Sequence, residues 1–349
     1  MVTIKDVAKE ANVAISTVSN VLNNVDVVSP LTRIKVLEAV KKLNYTPNLN
    51  GKYLKMSKTG FIGLFLTTVG GPFFGKLISK MHKECRKAGY GLTIFLNDDT
   101  NIEKSVQAIL GKRVDGAIIL NETVTPEHIQ TFENLEMPIV FLDREIEHKK
   151  IKSVVIDNEQ GMYLVVNYLL NLGHKNIGYI HGVLSNYDEI QRYKGYRKAL
   201  EENDIAYNKN CELQGFYSEN DAYKAIQAYV NSKKPLPTAI VAANDQMACG
   251  CIDGLKDLGY KVPQDVSIIG FDNIEKGRYY NPTLTTIDPN ADEIAMKAVK
   301  VLLDLIQANN TRSHIVPVKL LTRKSCKFIL PKEIELEPEE IDVELEIEE

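Results

Sequence analysis

DGAIILNETVTPEHIQTFENLEMPIVFLDREIEHKKIKSVVIDN (115–158) holds three short apolar runs, DGAIIL (115–120), PIVFLD (138–143) and SVVIDN (153–158), with an amphipathic stretch at 126–134 between the first two. Short β-rich runs without polar alternation are what strands buried on both faces look like, and amphipathic segments between them are the crossovers that parallel pairing requires. Outward from this stretch the same beat runs from residue 61 to about 290. Strands are predicted at FIGLFLTTV (61–69), GLTIFLND (91–98), NIGYIHG (176–182), AIVAAN (239–244) and VSIIGFD (266–272). Helices are predicted at roughly 74–89, 103–112, 159–172, 190–203, 219–232 and 245–258. The beat restarts near residue 159, so the expected fold class is α/β, with two doubly wound parallel-sheet lobes.

Open sheets of this kind bind ligands beyond the carboxyl ends of their strands. Several strands here end in polar residues. Asp143 closes PIVFLD, Asn244-Asp245 follow AIVAA, and Asp272-Asn273 follow VSIIGF. A cleft lined by these ends is the default ligand site. Strand-end Asp and Asn also cap the helix that follows, and capping is the preferred reading of Asp245 and Asn273.

The first 60 residues have a different pattern, helical throughout. Thr3 with Asp6 reads as a capping box opening a helix at about 4–11 that buries Ile4, Val7, Ala8 and Ala11. After a break at Asn12-Val13-Ala14, a second helix runs from Ile15 to Asn23 with Val18, Val21 and Leu22 inward. Ser29-Pro30 then reads as cap and first position of a third helix ending near Leu43. Three small helices around one apolar cluster make a helix-turn-helix module. Its second helix leaves Ile15, Ser16, Thr17, Ser19 and Asn20 outside, short or neutral side chains suited to base edges, while flanking cations and hydroxyls meet phosphates.

Charge supports the division. The 349 residues carry 42 Lys+Arg and 46 Asp+Glu, a formal net charge of −4. Residues 1–60 hold nine basic and four acidic side chains, whereas residues 331–349 hold one Lys against ten acids. No run approaches the roughly 18 apolar residues of a membrane span, and no basic-then-apolar leader opens the chain, so a cytoplasmic protein is expected. The odd number of scattered cysteines (Cys85, Cys211, Cys249, Cys251 and Cys326) does not resemble a disulfide framework, and no spacing suggests a metal site.

An enzyme is disfavoured. GGPFFGK (70–76) has the spacing of a phosphate loop, but Leu77 stands where a hydroxyl would hold magnesium, and Pro72 with two Phe residues spoils the amide cradle. No nucleophile-elbow or dinucleotide motif appears, and no cofactor is expected.

TIKDVAKEANVAISTVSNVLNN (3–24), followed by NYTPN (44–48), resembles the start of the lactose/galactose repressor family of transcriptional regulators. PIVFLDR, LGHKNIGYIHG, QRYKGYRKAL, AIVAANDQMACG, VPQDVSIIGFDN and NPTLTTID match further family blocks in order, extending the likeness over about 3–330. The resemblance implies a helix-turn-helix domain at 1–58 with a hinge helix at 48–56. It also implies a periplasmic-binding-protein-type effector and dimerisation domain at 61–330, with lobe one at 61–158 and 289–317 and lobe two at 159–288 and 318–330. Residues 331–349 lie beyond the last block and are expected to be a disordered acidic extension rather than an added edge strand.

By the same resemblance the protein is a repressor that binds a pseudo-palindromic operator as a homodimer. Ile15, Ser16 and Asn20 match base-reading positions. Thr3, Thr17, Ser19, Asn23, Tyr45 and Asn48 match phosphate or groove contacts, and Leu54 matches a minor-groove wedge. Three residues depart from the pattern: Asn12 replaces a turn Gly, Ala14 replaces a capping Ser, and Gly51 replaces a hinge Ala, which predicts a hinge that folds only on the operator. Effector positions map to Phe73, Phe74, Asp143, Arg192, Tyr217, Asn244 and Asp272. Carboxylates, a guanidinium fork and an amide can hold hydroxyls or ring nitrogens, and the aromatic rings can stack on a sugar or base face. A sugar or sugar derivative is the expected effector, with a purine or a protein corepressor as alternatives. A solute-binding protein would need a secretion signal and no DNA-reading module.

Overall fold

The computed structural model describes residues 2–46, 58–97, 102–135, 137–146 and 148–329. The acidic segment 331–349 lies outside the described residues. The chain divides into two units, Met1–Thr59 and Gly60–Glu349.

In the first unit, α1 (Ile4–Glu10), α2 (Ile15–Leu22) and α3 (Pro30–Lys42) close on an apolar cluster of Val7, Ala8, Val18, Val21, Val36 and Ala39. Helix α1 opens at Thr3, whose backbone N–H and hydroxyl both donate to the Asp6 carboxylate at 2.8 Å. These bonds hold the Asp6 carboxyl below its usual range. Asn12 makes the turn between α1 and α2 at φ 54°, in the left-handed region that Asn tolerates better than most residues. Ala14 caps α2 in extended backbone without a side-chain bond, leaving an N-terminal N–H unanswered by its own cap. At α3, the Ser29 hydroxyl oxygen accepts from the Thr32 N–H and Pro30 holds the first helical position.

The second unit contains β1 (Phe61–Leu66), α4 (Pro72–Lys87), β2 (Gly91–Leu96), α5 (Ile102–Leu110), β3 (Gly116–Leu120), α6 (Pro126–Asn134), β4 (Ile139–Phe141) and β5 (Ile151–Ile156). It continues through α7 (Asn158–Asn171), β6 (Ile177–His181), α8 (Tyr187–Glu202), β7 (Glu212–Gln214), α9 (Glu219–Asn231), β8 (Ala239–Ala242), α10 (Asp245–Asp257) and β9 (Ser267–Phe271). Last come α11 (Glu275–Tyr279), β10 (Thr285–Asp288), α12 (Ala291–Ile306), β11 (His314–Val316) and β12 (Lys319–Leu321).

The strands form two six-stranded sheets, ordered β11-β5-β4-β3-β1-β2 and β12-β10-β9-β8-β6-β7. Every pair is parallel except β12 with β10, at the edge of the second sheet. The chain therefore fills most of the first sheet, then most of the second, and returns once to each. Central strands are buried on both faces, as their unalternating apolar runs require: Ile118, Val140, Ile240 and Ile268 all lie in the core. Helix α12 packs on the first sheet and against α4. On the second sheet, α7 packs against α8 and α9 against α10, each pair closing on a glycine. A Cβ on Gly195 would lie 2.0 Å from the Glu159 carbonyl oxygen, and one on Gly250 would lie 1.9 Å from that of Glu219.

The capping reading of Asp245 and Asn273 needs correction. Asn244 caps α10, its Oδ1 accepting from the Met247 N–H at 2.9 Å. Asp245 is the first helical residue and fully buried, and its carboxylate accepts from the Ile274 N–H at 2.8 Å and the Thr286 hydroxyl at 2.6 Å. Burial, reinforced by Asp272, pushes that carboxyl well above its usual range. Asn273 precedes α11 without capping it; its amide accepts from Arg323 at 2.7 Å and donates to Asp288 at 3.0 Å. Both side chains tie the turn after β9 to its neighbours. A buried turn N–H has no water to fall back on, which makes that role more demanding than capping an accessible helix start.

Candidate functional site

Helix α2, ISTVSNVL, carries no charged side chain, although the unit around it is cationic. Burial of Val18 and Val21 fixes which face looks outward. Ile15 and Ser16 are exposed, Ile15 at 45%, and Thr17, Ser19 and Asn20 are half-buried at the edge of the same helix. An isoleucine this open at a helix start contributes little to the core, which leaves it available for an apolar contact. Asn23 follows the helix, its Nδ2 donating to the Ser19 carbonyl at 2.9 Å. The Thr3 hydroxyl is spent on Asp6, and Tyr45 packs half-buried against the three-helix cluster. Asn48, Leu54 and the expected hinge helix at 48–56, with Gly51, lie outside the described residues.

The second site is a cavity of about 920 Å³ at the carboxyl ends of strands from both sheets. Phe73, Phe74, Asp143, Arg192, Tyr217, Asn244 and Asp272 all line it. The structure thus gathers residues that the chain spreads over 200 positions, because each follows or faces a strand end where parallel topology leaves a crevice.

Arg192 is the best anchored of them. On α8 and only 4% exposed, it donates from Nε to the Asn158 Oδ1 at 2.8 Å and from Nη1 to the Ala243 carbonyl at 2.6 Å. Its guanidinium lies 3.9 Å above the Phe271 ring. Nη2 stands 3.8 Å from Asp272 Oδ1, too far for a hydrogen bond and near enough for a ligand hydroxyl to bridge the two, accepting from one and donating to the other. Burial opposes the charge on Arg192, but Asp272, with Tyr217 and Asp188, more than offsets it. Asp272 is held at φ 111° at the end of β9, strained backbone that aims its carboxylate at the cavity.

Three residues are already engaged elsewhere. Asp143 accepts from the Asn121 N–H at 2.9 Å and from Arg144 at 3.0 and 3.2 Å. Asn244 spends its oxygen on capping, leaving Nδ2 a long bond of 3.4 Å to the Tyr217 carbonyl. The Tyr217 hydroxyl donates to Glu189 at 3.4 Å, so what the residue offers the cavity is its ring. Phe73 and Phe74, at the first turn of α4, meet edge to face with centroids 5.7 Å apart.

Asp188 and Arg144 also line the wall, and sequence reasoning missed both. Asp188 looks like any acid in the first turn of a helix; its role as a wall carboxylate shows only once Asn158 is seen donating to it at 2.7 Å while accepting from Arg192. Burial pushes its carboxyl upward, against Arg192 and with Asp143. Arg144 had a signal, its place beside Asp143. Among the described residues no group of His, Cys, Asp and Glu is arranged to hold a metal ion, and no helix is long and apolar enough to cross a membrane.

Comparison with known proteins agrees with this geometry. The profile of "Bacterial regulatory proteins, lacI family" matches residues 3–48, and that of a "Periplasmic binding protein-like domain" matches 166–326. The chain is 34% identical over 333 residues to the HTH-type transcriptional repressor PurR of Pasteurella multocida, covering 94% of this chain and 99% of that one. It is 35% identical over 341 residues to the PurR of Haemophilus influenzae (strain Rd), covering 95% and 100%. Among solved structures, the Lac repressor dimer bound to operator and the anti-inducer ONPF superposes with a TM-score of 0.81 at 28% identity, over 93% of this chain and 99% of that one. A lacI-family regulator from Enterococcus faecium with bound ribose gives 0.71 at 27% identity, over 77% and 100%. A chain that carries both a helix-turn-helix unit and a two-sheet cavity, matched over nearly its whole length by named repressors, belongs to the lacI family of bacterial regulatory proteins, as a DNA-binding transcriptional repressor.

Proposed function

We propose that the protein binds a pseudo-palindromic operator as a homodimer and releases or grips it according to a small polar effector, a sugar or sugar derivative, held in the cavity between the two sheets. Ile15, Ser16 and Asn20 read base edges, and Thr3, Thr17, Ser19, Asn23 and Tyr45 serve phosphate or groove contacts. In the cavity, Phe73, Phe74 and Tyr217 cover the faces of the ligand while Arg192 and Asp272 hold adjacent hydroxyls. Asp143 and Asn244 fix the wall and offer what hydrogen-bonding capacity their internal partners leave. The ligand shifts the population between arrangements of the two lobes, and the two copies of α2 in a dimer then fit or miss successive major grooves.

The observation that carries this reading is the open 3.8 Å gap between Arg192 and Asp272, donor beside acceptor, in a cavity with aromatic walls. Vicinal hydroxyls meet that pair well, since each can donate and accept. A purine is the second reading, favoured by relatives that carry the name PurR. Its ring would stack on the same aromatics, with its edge nitrogens on Arg192 and Asp272. Isothermal titration with monosaccharides and nucleobases separates the two. Heat from monosaccharides alone supports the sugar, heat from nucleobases alone supports the purine, and a dimer that binds DNA but none of these compounds supports a protein corepressor.

A further inference from the structure

We infer that the effector carries no anionic group, so that the cavity rejects a phosphate ester of the very compound it accepts; this rests on the small-effector reading above. Among the described residues, five carboxylate side chains and two guanidiniums line the cavity, and no lysine or histidine does. The cations are largely committed. Arg144 donates to Asp143 and to the carbonyls of Asn121 and Val124, at 2.6 to 3.2 Å. Arg192 has Nε and Nη1 engaged and one face on Phe271. Of the acids, Glu219 is answered from outside the wall by Lys276 at 2.6 Å. A ligand therefore meets Glu122, Asp188 and Asp272 against one half-engaged guanidinium. A dianion there would lose its hydration and stand beside like charges in a partly buried site, where their repulsion is weakly screened.

Helix starts do not restore the balance. Ser218 caps α9 and Asn244 caps α10 with their own oxygens, and α8 carries Asp188 and Glu189 in its first turn. Helix α4 has neither a side-chain cap nor a first-turn acid, but its first position is Pro72, which has no N–H to offer, and the Phe73 and Phe74 side chains follow it at the cavity wall. The regulator thus senses its compound before phosphoryl transfer. The reaction that supplies the effector releases or imports it unphosphorylated, and phosphoryl transfer is the class that removes it from view.

The test is titration calorimetry of the full-length protein with matched pairs: D-ribose and ribose 5-phosphate, D-glucose and glucose 6-phosphate, D-galactose and galactose 6-phosphate, guanosine and GMP. In any pair with a binding member, the free compound should bind at least a hundredfold more tightly. Asp188→Asn and Glu122→Gln should each narrow that ratio severalfold. A phosphate ester that binds as tightly as its parent would overturn the inference and leave the small-effector reading intact. Silence from all eight compounds would sink that reading and the inference with it. An unchanged ratio in both variants would overturn the electrostatic cause.

Discussion

Burial pushes the Asp272 carboxyl up to about 7, against the pull of Arg192 and with the push of Asp188. A ligand hydroxyl that donates to this carboxylate favours its ionised form, so effector affinity should rise with pH. If the ionised form alone binds, a group of pKa near 7 gives a rise of about tenfold between pH 6 and pH 8. Asp272→Asn should weaken binding and flatten the profile, and titrations at the two pH values read both effects. For the ligand-free protein the sign reverses. A carboxyl whose folded value lies above its unfolded one costs stability once pH passes the unfolded value, and the cost grows until pH reaches about 7. On the DNA side, Asn20→Ala should relax discrimination at one base pair per half-site, at a cost of about 1–3 kcal/mol for that pair. Competition between operators differing at single positions measures it; equal loss against every sequence would mean that Asn20 touches phosphate instead.

Helix starts and helix crossings set what can be engineered at the scale of elements. Ala14 holds extended capping backbone at the start of α2 without a capping oxygen, so Ala14→Ser should stabilise the first unit by about 1 kcal/mol. Its urea midpoint should move up accordingly. Gly195 and Gly250 sit where a methyl group would meet a neighbouring carbonyl at 2.0 and 1.9 Å, and either change to Ala should cost about 1–3 kcal/mol or more as the helices are forced apart. Elements were legible in the sequence where apolar runs and amphipathic stretches alternate, from residue 61 to about 290; the 16-residue α12 lies beyond that alternation and was not read from it. The eight apolar runs all became strands because two-sided burial writes itself into every residue, and the predicted helices fall within a few residues of those observed. Strands β7, β11 and β12, three residues each, carry too little pattern to stand out. Of the cavity residues, Asp143, Asn244 and Asp272 were legible as polar strand ends, whereas Phe73, Phe74, Arg192 and Tyr217 were legible through family blocks alone: nothing local marks Arg192 as buried, and nothing marks Asp188 as facing a cavity rather than water.

At the scale of the molecule, the near-neutral total conceals an uneven distribution: nine basic against four acidic side chains over residues 1–60, and one against ten over residues 331–349. A cationic reading unit implies that operator affinity falls steeply with salt, as phosphate contacts release counterions. A slope near zero in log affinity against log salt concentration would mean that phosphates do not anchor the complex. The central claim is the coupling of that affinity to the cavity. It is tested most directly by measuring, through fluorescence anisotropy, the affinity of the full-length protein for a DNA fragment it has itself selected from random sequence, with and without a compound shown to bind the cavity. Expected are a two-fold symmetric selected sequence and at least a tenfold change in affinity with the compound, absent in Asp272→Asn. Affinity that stays the same while the compound saturates the cavity would contradict it.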